Sequence, residues 1–360
     1  GKGLEFVRSQ KITTPEGTNE IAYTFDNLDK TDENGNEYKY TIDEKNTPTN
    51  YKKSVDNNNY VVTNTYVSPK TELKVTKKWI GGKERNDIKV QLYRNGKTYQ
   101  KPIVLKTDKG LNSVSYTFAD LDKTDENGNN YTYTVDEIET PKNYVKSIDS
   151  KNNIITNTYV SPKVNVVATK KWIGGENARP KTITLALFRK VGTTEKEKVA
   201  EKEITVTKDP ELKYEFKNLD ETDKNGNKYV YTVEEINVPE NYNKEETGLI
   251  VTNTYESPKI DIPVSKIYVY GGEKRKDVTI QLLRNKQKID EVVFKIEKGK
   301  DTYNHTFKEF DKTDKSGKNY TYTVTEKDEV KDFVKRESGL SVTNEYVIPK
   351  IDISFAKKWN

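Results

Sequence analysis

The chain has 360 residues, with 62 basic and 57 acidic side chains, a net charge of +5, 32% hydrophobic and 33% charged residues, and no cysteine. The interspersed signs form no basic block and argue against nucleic-acid binding; no stretch approaches a membrane span; disulfides and zinc–thiolate sites are excluded. Low apolar content, with abundant Lys, Asn, Thr and Tyr, fits several small β-sandwiches better than one large core.

No signal-peptide pattern opens the chain, which starts inside a repeat. Residues 1–66 read as a partial unit lacking its first strands. They carry the phrase Asp29-Lys30-Thr31-Asp32-Glu33-Asn34-Gly35-Asn36, then Tyr40-Thr41-Ile42-Asp43-Glu44, then Thr63-Asn64-Thr65-Tyr66. The same three phrases return in order in 70–159, 163–255 and, more loosely, 259–346. A period of this length denotes whole domains in tandem, not a solenoid of short units. A Pro-Lys step closes each unit (Pro69-Lys70, Pro162-Lys163, Pro258-Lys259, Pro349-Lys350) and reads as a short, stiff linker. Residues 350–360 read as the first strand of a further repeat.

Within 70–159 the pattern is strand throughout. Leu73, Val75, Lys77 and Trp79 alternate with polar residues; Ile88, Val90 and Leu92 precede an Asn95-Gly96 hairpin turn; Val114, Tyr116 and Phe118 form another run. Tyr133, Val135 and Glu137 follow, and Ile155, Asn157 and Tyr159 close the unit. About seven short strands per unit predict an all-β, immunoglobulin-like sandwich, repeated along an elongated rod.

The period of two places three polar residues on the inner face of each complete unit. They are Lys77/Glu137/Asn157, Lys170/Glu235/Asn253 and Lys266/Glu326/Asn344. Desolvation favours a neutral, nucleophilic lysine amine and a protonated carboxyl group. The amine can attack the asparagine amide carbon while Glu137, Glu235 or Glu326 polarises the carbonyl and shuttles protons. Ammonia leaves, and a Lys–Asn isopeptide bond remains. Holding the groups on rigid strands supplies proximity worth roughly 7–11 kcal/mol. The plainer alternative is a buried Lys–Glu ion pair beside a hydrogen-bonded Asn, which is costly to desolvate. Incomplete sets stand at both ends: Glu44 and Asn64 have no lysine strand before them, and Lys357 has no later partners.

Lys-x-Trp early, Tyr-Thr-Val-x-Glu late and Thr-Asn-x-Tyr at the end together resemble the collagen-adhesin B-type (Cna B) domains of Gram-positive surface proteins. The resemblance covers essentially the whole chain. It implies an inverse immunoglobulin-type sandwich whose first and last strands are joined by a Lys–Asn bond assisted by the Glu. It implies a stalk of a wall-anchored, extracellular adhesin, with neighbouring domains as partners and a host matrix protein bound elsewhere in the polypeptide. A pilus shaft subunit, or a repeat region that itself binds matrix ligand, is the alternative. No cofactor, no metal, a monomer and no turnover chemistry are expected. The last complete unit departs from the pattern with Lys266-Ile267-Tyr268, Pro263 inside the strand, and Asn344-Glu345-Tyr346.

Other candidate sites are weaker. Aligning Asp32-x-Asn34-Gly35 with a calcium loop puts Lys30 first and Thr41 last, where a carboxylate is required, so a β-turn is the better reading. The single histidine, His305, takes a slot held elsewhere by Tyr23, Tyr116 and Tyr214, as a strand residue would. Residues 189–203 read as a solvated loop lengthening one hairpin. Lys357 of one molecule complementing Glu44 and Asn64 of another would give covalent chains.

Overall fold

A computed structural model describes residues 3–359. Alternating inner and outer residues allow one buried face per strand, and two such faces closing on each other make a sandwich core. In the first complete unit the strands are β3 (Lys70–Ile80), β4 (Ile88–Arg94), β5 (Lys97–Leu105), β6 (Ser113–Asp122), β7 (Tyr133–Glu137), β8 (Tyr144–Asp149) and β9 (Ile154–Tyr159). One sheet has the order β6-β3-β9-β8 and the other β5-β4-β7. All pairings are antiparallel except β3 with β9, the first and last strands, which run parallel at the centre of the larger sheet.

The plan recurs twice. The second unit uses β10 (Lys163–Ile173), β11 (Thr182–Lys190), β12 (Glu197–Thr205), β13 (Glu211–Asp220), β14 (Val230–Ile236), β15 (Tyr242–Thr247) and β16 (Ile250–Tyr255). The third uses β17 (Lys259–Val269), β18 (Val278–Arg284), β19 (Gln287–Phe294), β20 (Thr302–Asp311), β21 (Tyr322–Glu326), β22 (Phe333–Ser338) and β23 (Ser341–Tyr346), with one turn of 3-10 helix at Gly272–Lys274. Each unit encloses its own apolar core: Val75, Leu92 and Ile155 in the first, Leu185, Leu187 and Val251 in the second, Ile280, Leu282 and Val342 in the third. The tandem all-β sandwich architecture follows the sequence reading.

Two local features bear on the sequence reading, and one of them corrects it. Pro263 lies inside β17, as the sequence reading placed it. It faces His-bearing β20 one residue beyond the paired Val264↔His305, before the parallel ladder to β23 begins at Ser265, so its missing N–H costs that ladder nothing. Residues 189–203 are mostly strand: only 191–196 connect β11 to β12, because backbone pairing extends the hairpin beyond its apolar part.

The two ends differ from the complete units. In 3–66 only β1 (Tyr51–Asp56) and β2 (Val61–Tyr66) form, as an isolated hairpin. The phrase Tyr40–Glu44, which is strand in every complete unit, is not strand here. Residues 350–359, expected to open a further strand, form none either, and Phe355 and Trp359 are exposed. Both segments lack the adjacent strand that would satisfy their backbone groups and cover their apolar face.

Truncating a core residue should affect one unit only. Leu92→Ala is expected to cost about 2–5 kcal/mol and to lower the unfolding transition of 70–159 while the other two units hold. Denaturant titration with hydrogen exchange resolved by unit checks this; an equal shift in all three would contradict separate cores.

Candidate functional site

Each buried polar set is assembled from three strands on two sheets. Lys77 sits on β3 among Val75 and Trp79, and its side chain has no solvent exposure. In the parallel ladder Lys77 is opposite Ile155 and Trp79 opposite Asn157, so Lys77 and Asn157 are diagonal neighbours on one inner face. Glu137 reaches across from β7 in the facing sheet, where its backbone pairs with Val90. Register repeats the arrangement: Lys170↔Val251 with Trp172↔Asn253, and Lys266↔Val342 with Tyr268↔Asn344. All nine predicted residues of the complete sets are buried.

Distances within the sets differ. Lys77 Nζ lies 3.0 Å from Glu137 Oε2, and Lys266 Nζ lies 3.3 Å from Glu326 Oε2. Lys170 Nζ is 3.8 Å from Glu235 Oε2. Asn157 Nδ2 donates to Glu137 Oε1 at 2.9 Å, and Asn344 Nδ2 to Glu326 Oε1 at 3.0 Å. Asn253 has no hydrogen-bond partner on either amide atom. The unit that departs most in sequence thus keeps the geometry of the first, and the middle unit is the loosest.

The electrostatics follow from enclosure. Burial pushes the Lys77, Lys170 and Lys266 pKa values down from 10.5 to about 8, with the facing glutamate opposing the shift in each case. Burial likewise raises the Glu235 carboxyl pKa. An aromatic ring caps each ammonium: Lys77 Nζ is 4.5 Å from the Trp79 centroid, Lys170 Nζ 4.2 Å from Trp172, and Lys266 Nζ 4.3 Å from Tyr268. The Oδ1 atoms of Asn157, Asn253 and Asn344 are buried without a hydrogen-bond partner. Turning the Asn157 or Asn344 amide by half a rotation exchanges Oδ1 for Nδ2 at the glutamate. A protonated carboxyl there can donate to the carbonyl oxygen and activate its carbon. The arrangement therefore holds a partly neutral amine, a carboxyl group and an amide together in a dry core.

The incomplete sets behave differently. Asn64 Nδ2 donates to Glu44 Oε1 at 2.9 Å, so that pair forms without a lysine strand. Lys357 is exposed and lies over the Trp359 ring, away from any predicted carboxyl partner.

Two features were missed in the sequence. A second lysine donates to the backbone carbonyl of each glutamate: Lys146 to Glu137 at 3.0 Å, Lys244 to Glu235 at 3.2 Å, Lys335 to Glu326 at 3.4 Å, and Lys53 to Glu44 at 2.8 Å. Its signal was available as a recurring aromatic-x-Lys: Tyr51-Lys53, Tyr144-Lys146, Tyr242-Lys244 and Phe333-Lys335. Arg85, Arg179 and Arg275 also lie over Trp79, Trp172 and Tyr268, 5.5–5.6 Å from the ring centroids. The edges of Tyr144, Tyr242 and Phe333 pack on the same rings. The arginines follow their rings by six or seven residues in every complete unit, a recurrence visible in the sequence, whereas the aromatics come from a strand far along the chain.

Comparison with known proteins places the repeats in a family. The Cna protein B-type domain matches residues 3–65, 73–158, 166–254 and 265–345. The chain is 29% identical over 376 aligned positions to a collagen adhesin of Staphylococcus aureus, an alignment covering 98% of this chain and 30% of that protein. It therefore spans about a third of that relative's length. A crystal structure of two B repeat units of the collagen binding protein of S. aureus aligns at 26% identity, covering 90% of this chain and 87% of that one, with a TM-score of 0.39. The major pilin of Streptococcus pyogenes, as its N168A mutant, aligns at 13% identity over 52% of this chain and all of that one, with a TM-score of 0.23. With four matched segments accounting for most of its residues, the chain belongs to the Cna protein B-type domain family.

Proposed function

We propose that this chain is a load-bearing stalk of an adhesin on a Gram-positive cell wall, with each complete unit closed by an autocatalytic Lys–Asn isopeptide bond. The observation that carries the reading is the thrice-repeated Lys–Glu–Asn set, with lysine side chains of zero exposure. Such a set is costly as an ion pair and well suited to one self-limiting amide exchange. The amine nitrogen bonds to the asparagine carbonyl carbon, and the amide nitrogen departs as ammonia after receiving a proton through the glutamate. No oxidant, cofactor or second substrate is consumed, and no turnover follows. The collagen adhesin relative supports a surface location and a host matrix partner, reached through parts of the protein beyond these repeats.

The topology supports a mechanical role for such a bond. Tension enters a unit through its first strand and leaves through its last. These are adjacent, parallel and central in the larger sheet. A covalent link between Lys77 and Asn157 carries load directly from β3 to β9, and residues 78–156 are bypassed. Thermal and protease resistance follow as well, because the link restricts the unfolded chain.

Intact mass under denaturing conditions tests the reading. The expected deficit is three ammonia molecules per chain, with peptide mapping to 77/157, 170/253 and 266/344. A full-length mass equal to the sequence would remove the covalent role and leave a buried polar network. Glu137→Ala should reduce the deficit to two. It should also lower the stability of 70–159 by about 3–5 kcal/mol, because a buried lysine is left without its partner.

The lysine pKa gives a second expectation. In Asn157→Ala, Lys77 stays unlinked with a folded-state pKa of about 8, against 10.5 as its ordinary value. Between these values the unfolded chain binds more protons, so stability must rise with pH. The cost of burying the ammonium is fully present below pH 8 and lost above 10.5. The gain for that unit is on the order of 3 kcal/mol, read as a rising denaturant midpoint, whereas the linked parent should stay flat at this site. A flat profile in the variant would show that Lys77 is not held in the core.

A further inference from the structure

The repeated Asp-x-Thr-Asp-x-(Asn/Ser)-Gly turn takes no part in the buried Lys–Glu–Asn sets, yet it occurs once per unit. Its aspartate is used internally. Asp125 accepts from the backbone N–H of Asn127 and Asn129 and from the Asn129 side chain, at 2.8–2.9 Å. Asp223 does the same for Asn225 and Asn227. A rigid, self-bonded turn results, leaving its threonine and its carbonyls for other contacts.

Those contacts belong to the preceding unit. Thr124, Thr222 and Thr313 are only 8%, 7% and 6% exposed, whereas Thr31, in the same phrase of the leading segment, is exposed. What covers them is the exit strand and linker before each unit. The hydroxyls of Tyr66, Tyr159 and Tyr255 meet Thr124, Thr222 and Thr313 Oγ1 at 2.7–2.8 Å. The threonine backbone N–H donates to Ser68, Ser161 or Ser257 Oγ at 2.9 Å. The carbonyls of Pro69, Pro162 and Pro258 accept from Lys123, Glu221 and Lys312 N–H at 2.8–2.9 Å.

The far side of the turn meets a glycine pair. Gly82 N–H donates to the Lys224 carbonyl and Gly175 N–H to the Lys315 carbonyl, both at 2.9 Å. A Cβ on Gly81 would fall 2.3 Å from the Lys224 oxygen, and one on Gly174 would fall 2.6 Å from the Lys315 oxygen. The glycines thus admit the neighbouring unit's backbone where any side chain would exclude it.

We propose that this turn is a docking plug: it seats between the Gly-Gly loop and the Tyr-x-Ser-Pro exit of the preceding repeat and fixes the angle between successive units. The partner surface is another repeat of the same chemistry, and the latch holds whether or not the lysine–asparagine bonds form. The boundary after residue 346 lacks two elements of the receiving surface. Ile348 replaces the serine, and Tyr270 stands where Gly81 and Gly174 begin the glycine pair in the other units.

The chain has no cysteine, so paired spin labels can be placed cleanly on introduced cysteines at exposed Thr117 and Lys217 on either side of the 159/163 boundary. Pulsed dipolar spectroscopy on the full chain should give one narrow distance peak. Ser161→Ala combined with Thr222→Val should lose that peak to a broad distribution, with the unfolding transitions of the units unchanged. Thr222→Ser, which keeps the hydroxyl, should retain it, as should Asn157→Ala, in which Lys77 stays unlinked. A broad distribution in the parent, or a narrow peak surviving in the double variant, would overturn the proposal.

Discussion

Placing a lysine side chain with no solvent exposure in the core of a ninety-residue sandwich sets the terms for everything around it. An ammonium in that position must be discharged, paired or consumed. The unit supplies a carboxyl group from the opposite sheet, an aromatic face over the nitrogen, and an asparagine diagonal to it on the adjacent parallel strand. Burial lowers the lysine pKa to about 8, so about a tenth of the amine is neutral at pH 7 without any external base. The second lysine, Lys146, ties down the backbone of the glutamate strand, and its positive charge adds to the downward push on Lys77. Packing, electrostatics and candidate chemistry are therefore one constraint seen at three levels.

The parallel pairing of first and last strands is what would give the proposed chemistry a mechanical consequence. Most immediate neighbours in an antiparallel sandwich are joined by hairpins, and a link between them would protect only a short loop. Here the strands at which the chain enters and leaves each unit lie side by side, so the proposed bond would span nearly the whole unit. The apolar cores are then free to stay small, which accords with a chain whose charged content matches its hydrophobic content. Between units the same economy appears in the turns, where a few hydrogen bonds and a glycine pair join surfaces too polar to hold by apolar burial alone.

The ends of the chain separate local preference from tertiary requirement. Tyr40–Glu44 has the same alternation as Tyr133–Glu137, but only the latter is a strand, because only it has β4 beside it. The trailing Lys357 and Trp359 repeat the Lys-x-Trp spacing of Lys77 and Trp79, yet both are exposed. A β-pattern states which face will be buried if a partner comes; it does not supply the partner.

The sequence alone determined the repeat, the seven-strand sandwich and the inward phase of Lys77, Glu137 and Asn157, because a period of two maps directly onto the faces of a strand. It also excluded disulfides, because the chain has no cysteine. Tertiary structure decided what depends on juxtaposition across sheets and units. Asn157 is diagonal rather than opposite to Lys77, Asn253 is loosely held where Asn344 is not, and Lys146 caps the glutamate strand. The Asp-x-Thr-Asp turn, legible from sequence only as a turn, became an interdomain contact once Tyr159, Ser161 and Gly82 were brought against it. Periodicity reports the direction in which a side chain points, whereas the identity of its neighbour is fixed only when strands far apart in sequence share a register.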